Sequence, residues 1–166
     1  MSSKNSILKN NLRRNKDSIT EDFLLYFAYG SNMDKKRLFS RIGSTVKWDN
    51  GMVSSKKLSF NKLGQDGSGK ANLIDQEDEK AYGVIYQVNE ADLIKLDRFE
   101  VGYERKTLEI QSDNNGYVKA ISYLANNLSD FIVPNKDYMN YIVWGAEENS
   151  LKQNYIDYLK SIPTID

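Results

Sequence analysis

Any proton chemistry in this chain must proceed without histidine or cysteine, because its 166 residues contain neither. That removes the Ser-His-Asp arrangement, thiolate nucleophiles, zinc-thiolate sites and the commonest transition-metal ligand. Proton transfer then falls to Asp, Glu, Lys, Tyr or water. Among the carboxylates Glu100 stands out. It closes an apolar segment, flanked by Phe99 and Val101, where burial would raise a carboxyl pKa toward neutrality. A surface glutamate at a helix end is the plainer reading of those residues alone. The second candidate is the stretch from Phe23 to Met33, FLLYFAYGSNM. An apolar run stops at Gly30-Ser31-Asn32, and such a turn can aim backbone N–H groups at one point, a seat for a carboxylate or an oxyanion. An ordinary strand-turn-helix corner accounts for the same residues. Ser31 lacks both a G-x-S-x-G frame and a histidine base, so it reads as a donor or loop-former rather than a nucleophile.

Other chemistry is poorly supported. Glu77, Asp78 and Glu79 lack the spaced ligands of a calcium loop and read as a solvated turn. Gly64, Gly67 and Gly69 complete no phosphate-binding pattern, so Asn61 to Lys70 is expected to be a mobile surface loop. Lys56-Lys57 and Arg13-Arg14 read as surface charge. With 23 basic and 23 acidic residues, nothing in the charge balance calls for nucleic acid or an acidic membrane as partner. No stretch has the length of a membrane span or the apolar core of a signal peptide, and a cytoplasmic protein is the expectation. The eleven tyrosines exceed what a small core needs, which suggests that some line a pocket.

The elements that must position these residues follow from periodicity. Residues 1–20 read as a flexible basic arm and residues 21–166 as one domain. A first strand over Phe23 to Tyr29 is apolar throughout and should lie centrally in its sheet. Asp34 to Ile42 predicts a short amphipathic helix carrying Leu38, Phe39 and Ile42, closed by Gly43. Thr45 to Phe60 predicts strands split by a turn at Asp49-Asn50-Gly51, followed by a brief strand over Ala71 to Ile74 and another over Ala81 to Val88. Asn89 caps a helix from Glu90 that ends at Glu100. Tyr103 to Gln111 and Tyr117 to Ala125 form a hairpin through Asp113-Asn114-Asn115-Gly116. Two helices follow Pro134-Asn135, the second ended by Pro163. This order implies a mixed sheet, open or curled into a barrel, with helices outside.

Three segments, in this order, resemble the gamma-glutamylcyclotransferase family: Tyr26 to Met33 (YFAYGSNM), Tyr82 to Val88 with Leu96-Asp97-Arg98-Phe99-Glu100, and Tyr138 ahead of Gly145-Ala146-Glu147-Glu148-Asn149. The resemblance runs from Phe23 to Ile162. It implies an α+β fold, a mixed-sheet β-barrel-like core with peripheral helices, in amide-cleaving enzymes of the lyase or acyltransferase class that release 5-oxoproline from gamma-glutamyl compounds. By position it makes Glu100 the catalytic carboxylate, Tyr26, Phe27, Ala28, Tyr29, Gly30 and Ser31 the substrate-binding loop completed by Asn32, and Tyr138 a substrate contact. It implies a small-molecule substrate, no metal and no cofactor, in the setting of glutathione metabolism, and leaves a homodimer open. The glutathione-degrading branch usually carries Leu after Gly-Ser, so Asn32 argues against that branch. Ser150-Leu151-Lys152 stands where relatives often carry Leu-Pro. A non-catalytic module that binds a gamma-glutamyl or acidic ligand in the same pocket is the competing expectation, and a relative acting on gamma-glutamylamines or a gamma-glutamyl-protected intermediate is a third. The spatial expectation is definite: Gly30 to Asn32 and the Glu100 carboxylate must face one cavity.

Overall fold

The structure is a computed structural model that describes residues 23–126 and 128–166; the basic arm expected over residues 1–20 lies outside them. Five strands close into a barrel in the order β1-β3-β2-β4-β5, with β1 Leu24–Ala28, β2 Val46–Leu63, β3 Gly69–Val88, β4 Tyr103–Ser112 and β5 Gly116–Ala125. The apolar β1 runs antiparallel to β3 and closes the barrel through a parallel pairing of Tyr26 with Ile121 on β5. Being paired on both sides explains why Tyr26, Phe27 and Ala28 are all buried. Four helices pack outside: α1 Lys35–Ile42, α2 Glu90–Asp97, α3 Lys136–Glu148 and α4 Gln153–Ser161. Phe27, Phe60, Ile85, Ile110, Leu93 and Leu96 are among the fully buried side chains of the core.

The ends of α1 and the start of α2 form where the sequence placed them. Asp34 accepts from the Arg37 N–H at 2.8 Å and Gly43 closes α1 at φ 74°. Asn89 and Asp92 form a reciprocal capping box on α2. On α1, Leu38 and Ile42 are buried, whereas Phe39, expected on the same face, is 57% exposed.

Three expected interruptions take a different form. Asp49-Asn50-Gly51 is not a turn; it lies within β2, next to a register shift. The Asp49 carboxylate instead accepts from the Asn50, Asn114 and Asn115 nitrogens, at 2.8 to 3.1 Å, and so ties β2 to the tip of the β4–β5 hairpin. Burial opposes ionisation of Asp49, but these hydrogen bonds outweigh it and hold the carboxyl below its ordinary range. Gly51 is required by space: a Cβ there would lie 2.5 Å from Ile110 Cγ2.

The acidic run belongs to β3 rather than to a separate turn. Ser54 pairs with Lys80 and Lys56 with Asp75, so residues 76–79 stand out of register opposite Ser55, exposed as expected. The glycine-rich stretch is not a long surface loop. Leu63 pairs with Gly69, which leaves residues 64–68 as the tip of the β2–β3 hairpin, tied by the Gly64 N–H to the Ser68 carbonyl at 2.9 Å.

Candidate active site

The residues singled out by sequence converge from opposite parts of the chain. Between β1 and α1, Ser31–Met33 form one tight turn, with the Met33 N–H donating to the Gly30 carbonyl at 3.0 Å. The turn is held from behind. Tyr86 Oη and Asn149 Nδ2 both donate to the Met33 carbonyl, at 2.8 and 3.2 Å. Gly145 of α3 lies so close that a Cβ there would be 2.5 Å from the Asp34 nitrogen and the Met33 carbonyl carbon. That contact gives the Gly145 to Asn149 motif its physical role, since α3 can press on the turn only where it has no side chain.

Helix α2 stops at Asp97, so Glu100 lies beyond the helix end rather than on it. Its backbone N–H reaches back to the Leu96 carbonyl at 3.1 Å, and Gly102 at φ 84° turns the chain into β4. Phe99 is 51% exposed, whereas the Glu100 side chain is 14% exposed. The turn therefore points its carboxylate inward and its phenyl ring outward. Asn32 Nδ2 donates both to Glu100 Oε1 and to Tyr26 Oη, each at 3.0 Å. Arg41 lies 3.6 Å from the same carboxylate, its guanidinium stacked on Phe99 with 5.0 Å to the ring centre.

One cavity of about 510 Å³ collects these groups, including Gly30, Ser31, Asn32 and Glu100. Tyr26, Tyr29 and Tyr138 also line it. Tyr138 Oη accepts from the Ala71 N–H at 2.9 Å, while Tyr29 Oη donates to the Tyr123 carbonyl. Phe27 and Ala28, assigned to the substrate loop from sequence, do not line the cavity. They are wholly buried in the barrel, where the Ala28 carbonyl and the Phe27 ring crowd Gly83 of β3. Because side chains alternate along a strand, an unbroken motif cannot point every residue at one site. Ser31 Oγ accepts from Arg37 Nε at 3.0 Å, which ties the turn to α1.

Burial raises the Glu100 carboxyl above its ordinary value, and Arg41, Asn32 and Arg37 only partly pull it back. Burial pushes the Tyr138 phenol up to about 12, and raises Tyr26, Tyr29 and Tyr103 as well. The phenols thus remain neutral around the buried Glu100 carboxylate.

Sequence reasoning missed the positive wall. Arg37, Arg41, Lys62, Lys70 and Arg98 line the cavity against the carboxylates Asp66 and Glu100. Arg37 and Arg41 stand four apart on α1, one helical face directly after the turn, and that spacing was a usable signal. Lys62 and Lys70 come from the two strands of one hairpin, which no local pattern joins. Tyr103 was also missed; its hydroxyl donates to the Ala71 carbonyl at 2.7 Å. Among the described residues there is no cluster of metal-ligating side chains and no helix long and apolar enough to cross a membrane.

Fold and site together define a closed five-strand barrel holding one buried carboxylate beside a polar turn in a cationic pocket. Known proteins share this fold. Residues 80–159 match the AIG2-like family. The chain is 28% identical over 155 residues to the gamma-glutamylcyclotransferase of Homo sapiens, spanning 88% of this chain and 82% of that one. It is 29% identical over 147 residues to the enzyme of the same name from Mus musculus, spanning 83% and 78%. A solved gamma-glutamyl cyclotransferase superposes with a TM-score of 0.82 at 27% identity, covering 87% of this chain and 90% of that one. In sequence and in fold the chain is similar to gamma-glutamylcyclotransferases over most of its length.

Proposed function

We propose that this protein releases 5-oxoproline from a gamma-glutamyl amino acid or amine, with Glu100 as general acid and base. The observation that carries this reading is the inward-facing Glu100 carboxylate, bonded to Asn32 of the turn and sharing a cavity with it. The substrate supplies its own nucleophile: its α-amine attacks the γ-carbonyl and closes a five-membered lactam. Glu100 accepts a proton from the α-nitrogen as the new C–N bond forms. It returns a proton to the departing amine as the old C–N bond breaks, and so is restored each turnover. Intramolecular attack can reach effective molarities of about 10⁵ M or more when the chain is held folded. Holding that fold is the work assigned to Tyr26, Tyr29 and Tyr138, with the backbone of Gly30, Ser31 and Asn32 against the substrate's oxygens. The reaction as written uses no metal or cofactor.

Arg41 sets the working range of the base. A carboxylate must be ionised to accept the proton, so its pKa fixes the acid limb of the rate profile. Arg41→Gln removes the positive charge that lowers the Glu100 pKa, and the acid limb of kcat/KM moves to higher pH. A profile that stays in place or moves to lower pH would show that Glu100 is not the titrating base.

The direct test is a 5-oxoproline assay across gamma-glutamyl amino acids, gamma-glutamylamines and glutathione. Release from at least one class is expected. Binding without release from any would favour a non-catalytic module.

A further inference from the structure

The cavity carries more positive charge than its own carboxylates balance. Arg41 faces Glu100 at 3.6 Å, and Lys70 faces Asp66 at 3.5 Å. Arg37, Lys62 and Arg98 line the same cavity, and none of the three has an ion-pair partner among the described residues. Arg37 donates to the Ser31 hydroxyl and Lys62 to the Leu63 carbonyl, both neutral acceptors. Among the described residues, three positive charges of the cavity are thus unmatched by a carboxylate.

The following rests on the cyclotransferase reading above. With its amine free to attack, the gamma-glutamyl group brings one negative charge, its α-carboxylate. A leaving amino acid brings a second through its own α-carboxylate, which still leaves one cation without a counter-charge.

Position says where a third anion would sit. The leaving nitrogen must reach Glu100 to be protonated, and Glu100 lies inside the 97–103 turn. Whatever that nitrogen carries must extend outward past the rim of the turn. Arg98 stands on that rim, two residues before Glu100 and exposed. Lys62 lies across the same turn from β2: a Cβ at Gly102 would be 2.5 Å from Lys62 Cε, and the ammonium is 5.9 Å from the centre of the Tyr103 ring. Arg37 and Arg41, by contrast, are held on α1 against Ser31 and Glu100.

We propose that the preferred substrate carries an acidic amino acid as its leaving group, with the side-chain carboxylate received by Lys62 and Arg98 at the mouth. The charges then match, and steering by a cationic mouth favours the more anionic substrate.

Gamma-glutamylglutamate and gamma-glutamylglutamine are a matched probe, since they differ by one carboxylate against an amide of the same shape. The expected result is that wild-type kcat/KM favours the glutamate compound by about tenfold or more. The preference should shrink in about 1 M salt, where the screening length is about 3 Å. It should approach unity in Lys62→Met and Arg98→Gln, each checked for unaltered thermal unfolding. Equal kcat/KM for the two compounds in wild type, with 5-oxoproline released from both, overturns the acidic-leaving-group assignment and leaves the cyclotransferase reading standing. Release from neither compound, nor from any member of the wider panel, overturns both.

Discussion

Replacing Glu100 by Gln is expected to leave the barrel folded and to lower kcat for 5-oxoproline release by about 10²- to 10⁴-fold, the usual contribution of a positioned acid–base group. Gln keeps the size of the side chain and an oxygen to accept from Asn32 Nδ2, so the contact at 3.0 Å with the turn can persist. What disappears is the ability to take up and return a proton. Stability should move in the opposite direction from activity. The folded Glu100 carboxyl lies above its unfolded value because of burial, so the wild-type fold loses stability as pH rises through that interval. Glu100→Gln removes this loss, and its Tm relative to wild type should increase from acid to neutral pH. Initial rates on a gamma-glutamyl substrate and thermal melts at two pH values check both halves. Undiminished turnover would remove Glu100 as the base.

Gly145→Ala should damage a site it does not touch. Helix propensity alone predicts that alanine stabilises α3 by about 1 kcal/mol. Packing predicts the reverse, because the new Cβ would lie 2.5 Å from the Asp34 nitrogen and the Met33 carbonyl carbon, backbone atoms that cannot rotate aside. Either α3 moves out or the Gly30 to Met33 turn shifts. We expect a net loss of about 1–3 kcal/mol, with a fall of about 10²-fold in kcat/KM if the turn is displaced by about 1 Å. The Met33 carbonyl, held by Tyr86 and Asn149, would lose its bonding geometry at the same time. Denaturant unfolding and kinetics on one preparation test this. A stabilised, fully active variant would show that the close approach is not what places the turn.

Neighbouring aromatic rings hold part of the positive wall in place. Lys70 stacks on the Tyr138 ring at 4.4 Å and Arg37 on Tyr141 at 4.5 Å, so two cations are braced on aromatic faces. Bracing fixes the positive groups in place, and preorganised charge is worth more to a reaction than charge that must be gathered.

Much of the scaffold was legible because its signals are local. The continuous apolar run of β1, the Asp34 cap and Gly43 close of α1, the Asn89 capping box and the Asp113 to Gly116 hairpin each depend on residues within a few positions of one another. The absence of histidine and cysteine likewise reduced the candidate bases to a short list before any fold was known. Glu100 could be picked out by its apolar neighbours, although those neighbours, Phe99 and Val101, turn out to be exposed and the burial comes from elsewhere.

The rest was decided by strand order and barrel closure. Asp49-Asn50-Gly51 carries the same local turn signal as Asp113 to Gly116, yet it stays in a strand because hydrogen-bond donors from Asn114 and Asn115 arrive from across the sheet. Asn32 and Glu100 meet across 68 residues of sequence, and Lys62, Lys70 and Arg98 join them from a hairpin and a turn that no periodicity connects. Propensity and capping act over one or two turns of chain, whereas the charge and burial of a cavity depend on which distant segments share it. The sequence by itself therefore determined the local scaffold and singled out the carboxylate; only the tertiary structure decided that this carboxylate is buried, bonded to Asn32, and set in a cavity lined by cations.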